Sequence, residues 1–321
     1  MRLLLIFSAI FLAFSATPAL AQLDLNGLNG TELTIDLEPE YPRPGEQVTA
    51  TINDYRGGAY GSSITWIFDG QVIPDADNRR NTSFTAGVAG VTQTIEAVLT
   101  KPQGGREVVR NSITPIYLDI ILEPQTRVPE FYLGRSLPSV DSVINATAIV
   151  STDEILNPDL VYTWRLNQKV IEGGPLRGGN QVSFSTPMGS EAILSLQVTR
   201  PNGEVLSRRA IIVPSVFPKM NFYEVSSLYG MRNVRVDQSA TIIGNSLTVR
   251  AEPFYLDSRV YNDPDITEWE INGYKTKNTG SNPYEVTLQK TGASGVSTLE
   301  FHVRDTSQLL QGAQDSVRIN F

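Results

Sequence analysis

The chain contains no cysteine and only one histidine, His302. Without cysteine there are no disulfides, no thiolate metal ligands and no thiol catalysis. With a single histidine, the usual pairs of nucleophile and base are largely unavailable. His302 also lies in an alternating stretch whose other parity holds Leu299, Phe301 and Val303, which predicts a solvent-facing side chain. The sequence therefore indicates that this protein is not an enzyme and has no catalytic residues.

The chain also has no excess of positive charge. It contains 26 Lys and Arg and 34 Asp and Glu, which gives a net charge of −8. Nucleic acids and anionic membranes need clustered basic residues, so neither is an expected partner. Two acidic loop clusters, Asp75–Asn78 and Asn262–Asp265, carry the hard oxygen ligands that calcium prefers. Asn and Asp also favour turns for purely local reasons. We therefore expect no cofactor and no metal site, with calcium in these loops as the alternative.

No apolar run reaches the length of about 20 residues that a membrane-spanning helix needs. The N-terminal apolar run, Leu3–Phe14, follows the basic Met1-Arg2 pair and precedes Ala19-Leu20-Ala21, a small-x-small cleavage pattern. We predict a cleavable signal peptide over residues 1–21, with an uncleaved anchor as the alternative, and a flexible N-terminal arm over residues 22–30. The expected location is secreted, at the cell surface or in the periplasm.

Tryptophan is scarce, and its three copies are spaced about 100 residues apart. Each copy shares the parity of neighbouring apolar residues, which predicts that it faces the core of a sandwich. Each stretch ends on an Asn or Asp turn. The stretches are Ile64–Gly70 around Trp66, Tyr162–Gln168 around Trp164 and Thr267–Gly273 around Trp269. We predict that these three tryptophans are structural core residues, one in each domain.

Short segments with period-2 alternation, such as Leu33, Ile35 and Leu37, recur along the chain and predict antiparallel strands. The same order of strands occurs in three consecutive copies. No stretch has apolar residues at helical spacing together with helix-capping residues. We therefore predict an all-β chain of three tandem immunoglobulin-like (PKD-like) β-sandwich domains in an elongated arrangement. Their predicted bounds are residues 31–115, 116–214 and 215–321.

The second and third repeats carry extra segments ahead of their second strand, Pro129–Pro138 and Phe222–Gly230. Each segment holds a Phe-Tyr pair, and only repeats that have a predecessor carry one. We predict that these aromatics pack on the preceding domain. The residues are Phe131, Tyr132, Phe222 and Tyr223. A loop cluster within its own domain and a sugar-stacking surface are the alternatives.

The Trp66–Gly70 and Trp269–Gly273 stretches resemble the third strand of PKD-like and other bacterial immunoglobulin-like domains. The layout of a signal peptide and three such domains is similar to that of secreted proteins of reduced-genome bacteria, and Pro129–Pro138 and Leu247–Phe254 share the likeness. The resemblance implies a cell-surface or envelope role alongside surface appendages, and it carries over no catalytic residues. We predict a monomeric adhesion, scaffold or spacer protein whose partner is a protein or an envelope polymer. An accessory carbohydrate-binding protein is the alternative.

Overall fold

The computed structural model describes residues 33–55, 57, 59–151, 159–277, 280–292 and 294–321. The predicted signal peptide and N-terminal arm lie outside these residues. Within them the chain forms 24 strands and one short helix, so the predicted all-β class is confirmed. No helix in the described ranges is long and apolar enough to cross a membrane.

The first seven strands form two sheets, which we call the first sheet pair. The strands are β1 (Leu33–Glu38), β2 (Gln47–Asp54), β3 (Ser63–Phe68), β4 (Gln71–Val72), β5 (Asn81–Thr85), β6 (Gln93–Thr100) and β7 (Arg106–Ile113). One sheet has the order β1-β2-β5 and the other has the order β4-β3-β6-β7. Buried apolar positions alternate along these strands, as the period-2 pattern predicts.

The next eight strands form the second sheet pair. They are β8 (Tyr117–Pro124), β9 (Val143–Ser151), β10 (Val161–Leu166), β11 (Lys169–Val170), β12 (Leu176–Arg177), β13 (Gln181–Ser185), β14 (Glu191–Thr199) and β15 (Val205–Pro214). One sheet has the order β13-β9-β8. The other has the order β11-β10-β14-β15, with β12 also paired to β10.

The last nine strands and the helix form the third sheet pair. The elements are β16 (Lys219–Ser226), β17 (Gly230–Arg235), β18 (Ser239–Thr241), β19 (Ser246–Phe254), α1 (Ser258–Asn262), β20 (Ile266–Ile271), β21 (Tyr274–Thr276), β22 (Glu285–Gln289), β23 (Val296–Arg304) and β24 (Gly312–Asn320). The two sheets have the orders β17-β16-β19-β22 and β18-β24-β23-β20-β21.

The strand order identifies the fold. In the second sheet pair, β8-β9-β13 and β11-β10-β14-β15 reproduce strands A-B-E and C′-C-F-G of an immunoglobulin-type sandwich. The third pair repeats this order and adds β17 outside strand A and β18 in parallel with strand G. The first pair has the same order without additions. All three sheet pairs therefore have immunoglobulin-like strand order.

Backbone contacts group the chain into two compact units. Of the described residues, one unit comprises residues 33–36, 51–82 and 95–111. The other comprises residues 37–50, 83–94 and 112–321, and so contains the whole second and third sheet pairs. The domain boundaries that the sequence places after residues 115 and 214 stay predictions.

Apolar side chains fill the space between the sheets of the second and third pairs. In the second pair the core includes Leu118, Ile120, Ile144, Trp164, Leu194 and Leu196. In the third pair it includes Phe222, Val249, Val286, Trp269, Leu299 and Phe301. Because each core draws on both of its sheets, burial of these residues is what keeps the two sheets together.

The three tryptophans are buried in one repeated arrangement. Trp66, Trp164 and Trp269 each lie on strand C of their sheet pair. Each indole N–H donates to a backbone carbonyl 2.9 Å away, and the acceptors are Arg79, Gly179 and Pro283. The indole therefore contributes its apolar surface to the core without leaving its N–H group unpaired.

A tight turn follows each tryptophan strand and depends on left-handed backbone. Asn167 and Asn272 take φ values of 47° and 51°, and Gln168 and Gly273 follow with 70° and 79°. Two successive residues with positive φ are typical of the type I′ turn that joins paired strands. The Asn272 side chain also accepts a hydrogen bond from the Thr298 amide at 2.8 Å. The Asn and Asp residues that end the three sequence stretches thus direct strand C into strand C′.

Trp164→Ala tests how far the second sheet pair depends on its tryptophan. We expect a loss of about 3–5 kcal/mol in unfolding free energy, because a large buried side chain is replaced by a cavity. Urea unfolding measures the loss. Leu133→Ala removes a fully exposed apolar side chain as the matched control and should change little. Unchanged stability in Trp164→Ala would contradict the packing account.

Candidate functional site: the junction of the second and third sheet pairs

The insert Pro129–Pro138 lies between β8 and β9, where the sequence places it. The Phe131 ring lies edge-on to Tyr223 with 5.3 Å between ring centroids. The Tyr132 ring lies 5.4 Å from Phe254. The insert therefore contacts the third sheet pair, which follows it. The sequence predicted contact with the preceding one, and this direction was wrong because the β8–β9 connection lies at the end of its sandwich that faces the third pair.

The second Phe-Tyr pair is not an insert, because both residues belong to strand β16. Successive side chains on a strand point to opposite faces. Phe222 accordingly faces the core, 6.2 Å from Trp269, while Tyr223 faces outward to Phe131. Phe222 therefore takes no part in the junction that the sequence assigned to it.

Backbone hydrogen bonds join the two sheet pairs directly. The Arg127 amide donates to the Leu256 carbonyl at 2.7 Å, and the Tyr255 amide donates to the Arg127 carbonyl at 2.7 Å. The Ser258 amide donates to the Gln125 carbonyl at 2.9 Å. The segment after β8 thus runs antiparallel to the segment after β19, and the two segments pair across the junction like short antiparallel strands.

A buried carboxylate lies at the centre of the junction. Glu252 has no exposed surface and accepts hydrogen bonds from Arg127 Nε and Arg250 Nε, both at 2.8 Å. Arg250 also reaches Glu285 at 3.0 Å, and the Arg127 guanidinium lies 4.7 Å from the Tyr261 ring centroid. Burial opposes the charge of Arg250, but Glu252 and Tyr261 raise its pKa above the usual value. Glu252 therefore links both sheet pairs through charged hydrogen bonds.

A second buried group lies beside it. Asp257 and Gln311 are both fully buried, and the Asp257 amide donates to Gln311 Oε1 at 2.9 Å. Asp257 Oδ2 accepts from the Val143 amide at 3.1 Å, and Gln311 Nε2 donates to Ser139 Oγ at 3.0 Å. Hydrogen bonding to Asp257 raises the pKa of Arg259, which holds the carboxylate at 3.0 Å. Both residues of the third pair thus satisfy polar groups of the second.

An aromatic hydrogen bond closes the outer side of the junction. The hydroxyls of Tyr132 and Tyr255 lie 2.9 Å apart. Burial and this hydrogen bond raise the pKa of Tyr255 to about 12. The Tyr255 hydroxyl therefore stays protonated far above neutral pH, and the contact should not respond to physiological changes of pH.

The remaining predicted positions do not converge on a chemical site. His302 lies on β23 opposite Glu268 and Gln314. In the calcium candidate loops, the Asn78 side chain accepts from the Ile64 amide at 3.2 Å and Asp265 accepts from the Thr306 amide at 2.7 Å. In the part of the chain that is described, no three His, Cys, Asp or Glu side chains are grouped as a metal site would require.

Sequence reasoning missed Glu252, Asp257 and Gln311. Glu252 lies on β19 beside inward-facing Ala251, so its parity predicts a solvated outer face. Asp257 precedes α1 and caps it. An Asp directly before a helix is normally interpreted as an N-cap, so its position gives no sign of a second role in the junction. The one cue was the unusual Leu247–Phe254 stretch, which places a Glu between apolar residues and a proline.

Comparison with known proteins gives likenesses of fold only. No protein-family model matches the sequence, and no curated protein matches it. Fibronectin(III)-like modules of Clostridium thermocellum CbhA match at 11% identity over 57% of this chain and 94% of theirs, with a TM-score of 0.27. Three N-terminal domains of the bacteriophage RB49 Highly Immunogenic Outer Capsid protein match at 11% identity over 90% of this chain and 97% of theirs, with a TM-score of 0.25.

A third solved structure is Bacteroides ovatus SGBP-B in complex with a mixed-linkage heptasaccharide. It matches at 13% identity over 89% of this chain and 70% of the other, with a TM-score of 0.23. TM-scores this low carry no argument about function. The immunoglobulin-like assignment therefore rests on the strand order of the three sheet pairs.

Glu252→Ala tests the charged centre of the junction. We expect a loss of about 3–5 kcal/mol in unfolding free energy, because two partly buried guanidiniums lose their shared carboxylate. Glu204→Ala, which breaks the exposed ion pair with Arg200, is the matched control and should cost about 0–1 kcal/mol. Urea unfolding of both variants measures the difference. Equal costs would show that Glu252 is no more important than a surface charge.

Proposed function

We propose that this protein is a non-enzymatic scaffold or spacer that acts outside the cytoplasm, at the cell surface or in the envelope. It comprises three tandem immunoglobulin-like domains, with boundaries near residues 115 and 214. The predicted signal peptide over residues 1–21 supports export.

The observation that carries this proposal is the buried polar network between the second and third sheet pairs. Most contacts between neighbouring domains are small and polar, so relative motion is the default. Here Glu252, Asp257 and Gln311 are fully buried and hydrogen-bond to Arg127, Val143 and Ser139 across the junction. Rotation of one sheet pair within a closed junction would leave these groups buried and unpaired, at a cost of about 1–3 kcal/mol for each. One orientation is therefore strongly preferred.

A fixed orientation suits a protein that holds surfaces at a set distance and angle. A catalyst needs convergent reactive groups, whereas a scaffold needs a joint that resists bending. The partner we propose is a protein or an envelope polymer that contacts the outer faces or loops of the domains. The carbohydrate-binding alternative gains no support from the tryptophans, because Trp66, Trp164 and Trp269 are buried and cannot stack on a sugar.

Distance measurement between two spin labels tests the fixed joint. The chain has no native cysteine, so Ile193→Cys and Arg304→Cys place one label on the exposed surface of each sheet pair. We expect a single narrow distance distribution by pulsed electron resonance. Gln311→Ala removes two hydrogen bonds across the junction and should broaden it.

Leu309→Ala, an exposed neighbour of Gln311, is the matched control and should leave the distribution narrow. A broad distribution in the otherwise unaltered chain would refute the fixed joint. So would equal widths in the Gln311→Ala and Leu309→Ala proteins, since the buried network would then have no influence on orientation.

A further inference from the structure

The position seven residues after each core tryptophan is equivalent in the three sheet pairs. In the first and second pairs, the amides of Ile73 and Ile171 donate to the carbonyl of the tryptophan at 2.9 and 3.0 Å. In the third pair, Thr276 takes this position, opposite Trp269 in the pairing of β20 with β21. Directly opposite residues of an antiparallel pair share one face of the sheet, and here that face is the core side. The third pair thus has a threonine where the other two have an isoleucine.

This exchange coincides with a difference in the space beside the core. In the second pair, Ile171 packs against the core, and the cleft that it lines has a volume of about 90 Å³. In the third pair, the cleft lined by Thr276 has a volume of about 300 Å³. Threonine has a hydroxyl where isoleucine has an ethyl group, so it leaves the space unfilled. Sites for small molecules have volumes of about 300–1,000 Å³, and the cleft of the third pair reaches the lower end of that range.

The floor of this cleft is apolar and belongs to the core of the third pair. Its lining includes Ile242, Val286, Leu299 and Ile319, none of which is more than 8% exposed. Val286 lies on β22 in one sheet, whereas Leu299 and Ile319 lie on β23 and β24 in the other. The cleft therefore passes between the two sheets, where an apolar group would be removed from water.

The mouth of the cleft lies along the flank of the sandwich. Its exposed lining residues include Lys277, directly after β21, together with Thr287 and Gln289 on β22. Because β21 and β22 are the edge strands of their two sheets, the mouth opens between two sheet edges. Lys277 is the one charged side chain among the described residues that line the cleft, and none of those residues is acidic. The mouth is therefore suited to a negative group.

We propose that this cleft binds a small amphiphile with one unbranched apolar chain and an anionic head group, as in a medium-chain fatty acid. The apolar chain lies between the sheets against Val286 and Leu299, in the space that Thr276 leaves open. The head group stays at the mouth, where the Lys277 ammonium pairs with it. The site lies within the third sheet pair, so it depends neither on the junction with the second pair nor on the proposed scaffold role.

Titration calorimetry of the full chain with sodium decanoate, below its micelle concentration, tests the apolar part of the site. The unaltered chain should bind decanoate at one saturable site. Thr276→Ile introduces the residue of the other two pairs and should weaken binding by about tenfold or more, the factor expected when two methylene groups lose their place in the cleft. Thr298→Ile makes the same exchange at an exposed position of β23 and is the matched control, which should bind like the unaltered chain.

Decyltrimethylammonium, which has the same chain length and the opposite charge, tests the head group. Lys277→Glu should weaken decanoate binding by about two- to fivefold, the size of an exposed ion pair, and should strengthen binding of the cation. Lys169→Glu, at an exposed position of β11, is the matched control and should change neither.

Three results would overturn the proposal. They are an unaltered chain that binds no decanoate, a Thr276→Ile chain that binds it as tightly as the unaltered chain, and a preference between the two amphiphiles that Lys277→Glu leaves unchanged. Circular dichroism shows that each variant keeps its fold. The Lys277→Glu comparison exchanges an exposed side chain and so tests the site even where Thr276→Ile disturbs the core.

Discussion

A carboxylate without exposed surface can exist in a folded protein only if charged or polar groups surround it. Glu252 meets this condition with Arg127 from the second sheet pair and Arg250 from its own. Because one of these partners lies across the junction, the two sheet pairs must meet in a single way for the charge to be satisfied. The backbone links at Arg127 and the bonds of Gln311 follow the same orientation. The arrangement of the two sandwiches therefore depends on this ion pair.

Two kinds of interaction have separate roles in this chain. It has no cysteine, so each sandwich is held by apolar packing around a tryptophan whose N–H is satisfied inside the core. Such packing is strong but has little directional preference. Hydrogen bonds and ion pairs are directional, and these fill the junction. Apolar burial thus determines that each sandwich folds, and buried polar groups determine how two of them are oriented.

Period-2 alternation predicted most strands and the inward position of Trp66, Trp164 and Trp269, because both depend on local sequence. It could not predict what covers an outward face. Glu252 lies on the outward face of its strand, and a neighbouring sandwich rather than water covers it. For the same reason, Phe131 was assigned to the wrong neighbour. Long-range contacts of this kind depend on which domain ends meet, which alternation in the sequence does not encode.

Residual dipolar couplings of the second and third sheet pairs, recorded in one aligned sample, test the fixed junction most directly. If the two sandwiches move as one body, amide couplings from residues 117–214 and from residues 219–320 fit a single alignment tensor in magnitude and orientation. We expect this result. Two tensors of clearly different magnitude would show independent motion and would contradict the claim that buried polar groups hold the sandwiches together.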